Sequence, residues 1–139
     1  MNLEVEKTPG TKIRSIEELS SMLASNKAIG KKTVLCHGVF EVLHPGHIRY
    51  IKAAKREGEI LFVIILSDKN VHLGPGRPLF DEQLRAESVA AIEDVDFVAI
   101  NNSPDAVAAI HQLKPDVYVM GSFEDQKNIV STKLSTLEK

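Results

Sequence analysis

Apolar positions along the chain change their spacing in a regular way. Ile16, Leu19, Met22 and Leu23 fall three or four apart, which is the helical period, and Ser15 and Glu18 form a Ser-x-x-Glu capping box in which a hydroxyl and a carboxylate satisfy orphan helix amides. The spacing predicts a helix from about Ser15 to Lys27, with Gly30 closing that stretch. Thr33-Val34-Leu35-Cys36 then reads as a short apolar strand. Ile48, Ile51 and Ala54 return to helical spacing over His47 to Arg56, and Gly58 closes the segment. Ile60 to Leu66 is seven apolar residues without alternation, β-branched and aromatic, bounded by Gly58 and Ser67-Asp68. A strand covered on both faces reads this way, which implies a parallel sheet with helices above and below.

Beyond a loop from Ser67 to Leu79, the pattern predicts a helix over Asp81 to Ala91 and a strand over Phe97 to Ile100. Ser103 then reads as an N-cap with Pro104 at the first helical position, opening a helix that runs to Leu113, and Val117 to Met120 is a last strand. The order is one helix followed by β-α-β-α-β-α-β. It predicts an α/β fold, a three-layer α/β/α domain with a Rossmann-like parallel sheet, right-handed crossovers and an N-terminal extra helix. A single domain is expected over 1–139, with 1–12 a flexible arm and 122–139 a weakly determined C-terminal tail. In sheets of this kind ligands sit outside the carboxyl ends of the strands, near the switch in strand order, so the loops after Cys36, Leu66 and Met120 are the candidates.

Composition narrows the partners. The 139 residues carry 17 basic and 19 acidic side chains, a net charge of −2, and 5% aromatics. That balance lacks the surplus that drives general binding to nucleic acid or anionic membranes, so neither is expected as a partner. The single cysteine, Cys36, excludes an internal disulfide and any C-x-x-C motif, and fits a reducing cytoplasm. No apolar signal core or bilayer-length apolar run is present, and a cytoplasmic location is expected.

The loop after the first strand reads His37-Gly38-Val39-Phe40-Glu41-Val42-Leu43-His44-Pro45-Gly46-His47. Two imidazoles three apart straddle a helix start at the carboxyl edge of the sheet. Helix amides and the positive end of the dipole attract phosphate there, and Gly46 has no side chain to obstruct it. Histidines, with ordinary pKa values near ~6.5, can donate to phosphate oxygens or carry charge as negative charge builds up. This suits nucleotidyl transfer, in which an ionised phosphate attacks without a general base and catalysis is alignment and charge stabilisation.

Gly38-Val39-Phe40-Glu41 through His44-Pro45-Gly46-His47 resembles the G-x-F-D-x-x-H-x-G-H signature of the cytidylyltransferase-like nucleotidyltransferases. Gly74-Pro75-Gly76-Arg77-Pro78, Arg85 and Lys114-Pro115-Asp116-Val117-Tyr118-Val119-Met120-Gly121 look more narrowly like the heptose-phosphate adenylyltransferase domains of lipopolysaccharide-core sugar biosynthesis. The resemblance implies transfer of AMP or CMP from ATP or CTP to a sugar or polyol phosphate, with Mg²⁺ bridging the triphosphate and no protein metal site. It makes Gly38, Val39 and Phe40 the wall against the nucleotide, and His44 and His47 the catalytic pair that binds the triphosphate and stabilises the transition state. Gly46, Arg77 and Arg85 would meet phosphates, Gly121 would lie near the base or ribose, and Asp68 would line the acceptor pocket. A homodimer and a sugar kinase partner are expected on the same grounds. Glycerol-3-phosphate cytidylyltransferase, an FAD synthetase and a nucleotide-binding module without turnover stand as alternatives.

The chain departs from the pattern at Glu41, where the signature has Asp, at Leu73, where lysine is usual, at Met120, where lysine or histidine is common, and at its C-terminal end. There Ile129 to Leu134 follows Gly121 too closely to be the Ser/Thr-rich segment that opens a C-terminal helix, so the chain is expected to stop before that motif. Arg85 reads equally as a solvated helix residue paired with Asp81 or Glu82. Cys36, Tyr50 and Phe62 read as core, and His37 is either buried and hydrogen-bonded or turned toward the site.

Overall fold

The computed structural model describes residues 9–28, 30–120 and 130–133. In chain order these form α1 (Pro9–Lys12), α2 (Ile16–Ala28), β1 (Thr33–Gly38), α3 (Pro45–Lys55), β2 (Ile60–Leu66), a short 3-10 turn (Asp68–Asn70), α4 (Glu82–Ala90), β3 (Phe97–Asn101), α5 (Val107–Leu113), β4 (Val117–Met120) and β5 (Val130–Lys133). The sheet order is β3-β2-β1-β4-β5, with the first four strands parallel and β5 antiparallel to β4. The chain winds outward from β1 to β3 and returns on the other side of β1. The switch point therefore lies between β1 and β4, where Cys36 is flanked by Val63 and Val119.

The unbroken apolar run of β2 supplies two cores at once. Leu61, Val63 and Ile65 face Ile51 and Ala54 of α3 and Ala86 and Val89 of α4. Ile60, Phe62 and Ile64 face Leu19 and Leu23 of α2 and Ala109, Ile110 and Leu113 of α5. Every second residue goes to each face because the strand period is two, so both faces must be apolar. The capping box of α2 forms, with Ser15 Oγ accepting the Glu18 amide at 3.1 Å and Glu18 accepting the Ser15 amide at 3.4 Å. At the amino edge, Asp96 accepts the Leu61 amide at 2.8 Å and Asp116 the Thr33 amide at 2.8 Å, which satisfies strand ends the ladder leaves open.

Four local expectations change. The helix placed at Ser103-Pro104 starts at Val107, because Asn101 competes for this segment. Its Oδ1 accepts the Ser103 amide at 3.0 Å and its Nδ2 donates to the Asp105 carbonyl at 2.8 Å, so an asparagine turn replaces the helical start. The last four residues of the expected arm form the helical turn α1. Lys12 is buried with Nζ on the Ile92 carbonyl at 3.0 Å, and Ile13 and Arg14 bridge to Val98, covering the open edge of β3. Within the expected tail, β5 adds an antiparallel edge strand that includes Ser131 and Thr132, paired with β4. Finally, α3 begins at Pro45 rather than at His47.

Candidate active site

The early start of α3 comes from the histidines themselves. His44 is the N-cap, its Nδ1 accepting the Gly46 amide at 2.9 Å, and His47 Nδ1 accepts the His44 amide at 3.3 Å. Two imidazoles thus do what a hydroxyl and a carboxylate do in an ordinary capping box. Because Nδ1 is an acceptor in both, the proton of each neutral ring is assigned to Nε2. The rings lie 4.2 Å apart at the positive end of α3, beside the switch point of the sheet. Burial first, and then the neighbouring His44, hold His47 below the ordinary histidine range, against an opposing contact with the Val42 backbone. At neutral pH His47 is therefore an uncharged N–H donor.

Phe40 closes the inner wall. Its ring is buried, lies 5.5 Å from that of His47 and covers Gly38, where a Cβ would fall 2.9 Å from the ring. Phe40 itself holds φ of 51°, a left-handed conformation that a bulky residue keeps only when its surroundings enforce it. Gly38→Ala is expected to push the ring out and cost about 1–3 kcal/mol, read from the urea midpoint.

The loop after β2 is tied to this wall at two points. Arg85 of α4 is 1% exposed, with Nη1 donating to the Val39 and Leu66 carbonyls at 2.8 Å each, Nε to the Phe80 carbonyl at 3.0 Å, and Nη2 to Asp68 at 2.7 Å. This corrects both sequence readings of Arg85. It is neither a helix-surface residue paired with Asp81 or Glu82 nor placed to meet a phosphate, because its side chain is fully covered and four of its five N–H groups are held by protein carbonyls and Asp68. Its position on α4 faces it inward, with Ala86, Val89 and Ala90. Asp68 keeps a side chain 40% exposed, so it reaches the edge of the site while Arg85 orients it.

The second tie is Glu41, which accepts Arg77 through both Nε and Nη2 and also the Leu79 amide at 2.7 Å. The Arg77 guanidinium, with the Leu79 amide, holds the Glu41 carboxyl down at about 2. Its contribution to folding is thus fully present above the ordinary glutamate value near ~4.3 and is lost only as pH falls toward about 2. Wild type and Glu41→Gln, compared by acid unfolding, are expected to converge only across that window.

Of the sequence candidates, Gly38, Val39, Phe40, His44, Gly46 and His47 share one loop and helix start, with Asp68 and Arg77 brought beside them. Gly121 lies outside the described residues. His37 is half-buried with Nε2 3.1 Å from Asn101 Nδ2, and burial holds it below the ordinary histidine range, with Asp105 opposing. Cys36 is fully buried and pushed up to about 12 by burial, in line with a core role. Tyr50 packs against the core and donates to the Val119 carbonyl at 2.6 Å, joining α3 to β4. The linking roles of Glu41 and Asn101 leave no spacing signal in the sequence. Only the departure from Asp marked Glu41.

A family model described as cytidylyltransferase-like matches residues 35–133, from the middle of β1 to the end of β5. The chain belongs to the cytidylyltransferase-like family. Membership makes it a nucleotidyltransferase by class. This cytidylyltransferase-like chain is 35% identical over 126 residues to the bifunctional protein HldE of Trichlorobacter lovleyi, covering 89% of this chain and 26% of that protein. It is 39% identical over 125 residues to the HldE of Campylobacter jejuni, covering 88% and 26%. It therefore spans about a quarter of the length of these relatives. Among solved structures, the lipopolysaccharide core biosynthesis protein from Thermoplasma volcanium GSS1 superposes with a TM-score of 0.59 at 31% identity, covering 64% of this chain and 73% of that one. No helix among the described residues is long and apolar enough to cross a membrane.

Proposed function

We propose that this chain transfers AMP or CMP from ATP or CTP to the phosphate of a sugar or polyol phosphate, a heptose phosphate foremost, and releases pyrophosphate. The observation that carries this is the His44–His47 pair, locked by the cap of α3 with one ring nitrogen of each spent on the backbone. That cap sets both imidazoles at the positive end of α3, where the amides of the helix start attract a phosphate. An acceptor phosphate oxygen attacks the α-phosphorus in line, the new P–O bond forms as the α–β bridging bond breaks, and the electron pair leaves with pyrophosphate. The acceptor is already ionised, so the site's work is alignment and stabilisation of charge by His44, His47 and the α3 amides.

Among the described residues no group of three or more His, Cys, Asp or Glu could hold a metal ion. Mg²⁺ enters this reading as part of the magnesium–nucleotide substrate. The relatives support a sugar-phosphate acceptor, since one solved relative is titled a lipopolysaccharide core biosynthesis protein. A sugar kinase partner belongs to the same proposal, in keeping with a match to about a quarter of a protein named as bifunctional. A homodimer belongs to the same proposal, and sedimentation tests it.

The test of function is pyrophosphate release with MgATP and MgCTP against a panel of sugar and polyol phosphates. Release with one nucleotide and one acceptor class is expected. Nucleotide binding by calorimetry without release from any pair would instead establish a binding module.

A further inference from the structure

We propose that Glu41 is a positioning residue, whose carboxylate holds Arg77 side-on and presents the outer edge of the guanidinium to the phosphate chain of the nucleotide. The inference rests on the nucleotide reading above and adds to it. Arg77 sits on a turn in which its amide bonds the Gly74 carbonyl at 3.2 Å, with φ of 109° at Gly74 and 75° at Gly76. A loop built on glycines has little stiffness of its own. Glu41 supplies the missing constraint from the other side of the site, one residue from the Phe40 ring that packs on His47. Glu41 Oε1 takes both Arg77 Nε and the Leu79 amide, while Oε2 takes Nη2.

This engagement uses one edge of the guanidinium. The two Nη1 hydrogens point away from the carboxylate and make no hydrogen bond among the described residues. Exposure is uneven in the same sense, 42% for the Arg77 side chain and 9% for Glu41. The carboxylate is thus covered by the arginine it holds, and the arginine faces solvent. A phosphate can join the outer edge without displacing Glu41, as a planar fork with five donors allows. Aspartate, shorter by one bond of about 1.5 Å, would not reach both Arg77 and the Leu79 amide from the same backbone position.

The test uses the full chain, calorimetry with MgATP and MgCTP, and amide hydrogen exchange. Arg77→Ala and Glu41→Ala are each expected to weaken nucleotide binding about tenfold, and the double variant no further, because Glu41 acts through Arg77. Glu41→Gln keeps an oxygen for the Leu79 amide but cannot grip the guanidinium with two. It is expected to leave that amide protected while losing a similar factor in affinity, a split that simple anchoring of the loop would not produce. In turnover the loss should fall on KM for the nucleotide, with kcat within about threefold.

Tighter binding by Glu41→Ala, additive losses, or wild-type affinity in Glu41→Gln would each overturn the proposal. If wild type takes neither nucleotide, the same variants are titrated with tripolyphosphate. The same non-additive pattern there keeps the positioning role and overturns the nucleotide reading, and no polyphosphate binding at all overturns both.

Discussion

His47→Ala is expected to lower kcat about 100-fold, equivalent to ~3 kcal/mol, the scale of losing one donor aimed at developing charge. The ring stands at the positive end of α3, 4.2 Å from His44, inside a wall formed by Phe40 and Gly38. The substitution also removes the acceptor for the His44 amide, which costs about 1 kcal/mol of helix capping. Stability and rate must therefore be read on the same protein. His47→Asn, whose amide oxygen can replace Nδ1 as a cap, is expected to recover most of the stability and little of the rate. Turnover within a few-fold of wild type in His47→Ala would sink the mechanism. Because His47 is held below the ordinary histidine range, the folded protein binds its proton less readily than the unfolded chain. Acidification below about pH 6.5 therefore erodes stability through this residue, and the contribution is absent above that pH.

Arg85→Met is expected to cost about 3–5 kcal/mol, a large fraction of the ~5–15 kcal/mol that holds a domain of this kind together. The substitution strands the carbonyls of Val39, Leu66 and Phe80 and cuts Asp68 loose, and none of these regains a partner from a thioether. Lysine does not repair it, since an ammonium at the end of a flexible stem cannot reproduce a planar fork aimed at four acceptors. Urea unfolding measures the effect. A change of under about 0.5 kcal/mol together with a large loss of nucleotide affinity would restore Arg85 as a phosphate ligand.

These two residues mark the boundary of what the chain reveals before it is folded. His44 and His47 are legible because strand, glycine, histidine spacing and helix start are local, and local features carry their chemistry in the order of the letters. Arg85 is not. Its letter and its helix suit a surface cation equally well, and only the approach of the β1 and β2 loops to α4 shows that the helix turns it inward. Asn101 shows the same limit at shorter range. Ser103-Pro104 is a good helix start by itself, yet the Asn101 side chain, set in place at the end of β3, captures the segment first.

The sequence by itself determined the α/β class, the double-sided burial of Ile60 to Leu66, the strand-loop-helix that carries the histidines and the family to which these belong. The first three follow from periodicity and from contacts within a few residues, and the family from the resemblance of the motif to a known signature. The tertiary structure alone decided the order β3-β2-β1-β4-β5, the antiparallel β5, the cover on the β3 edge, and the partners of Arg85 and Glu41. Those depend on groups that meet across 17 to 46 positions of chain in the case of Arg85 with Asp68 and Val39, and 36 in the case of Glu41 with Arg77. No local pattern encodes such meetings, because a carboxylate or a guanidinium has the same affinity for any complementary group that packing happens to bring within reach.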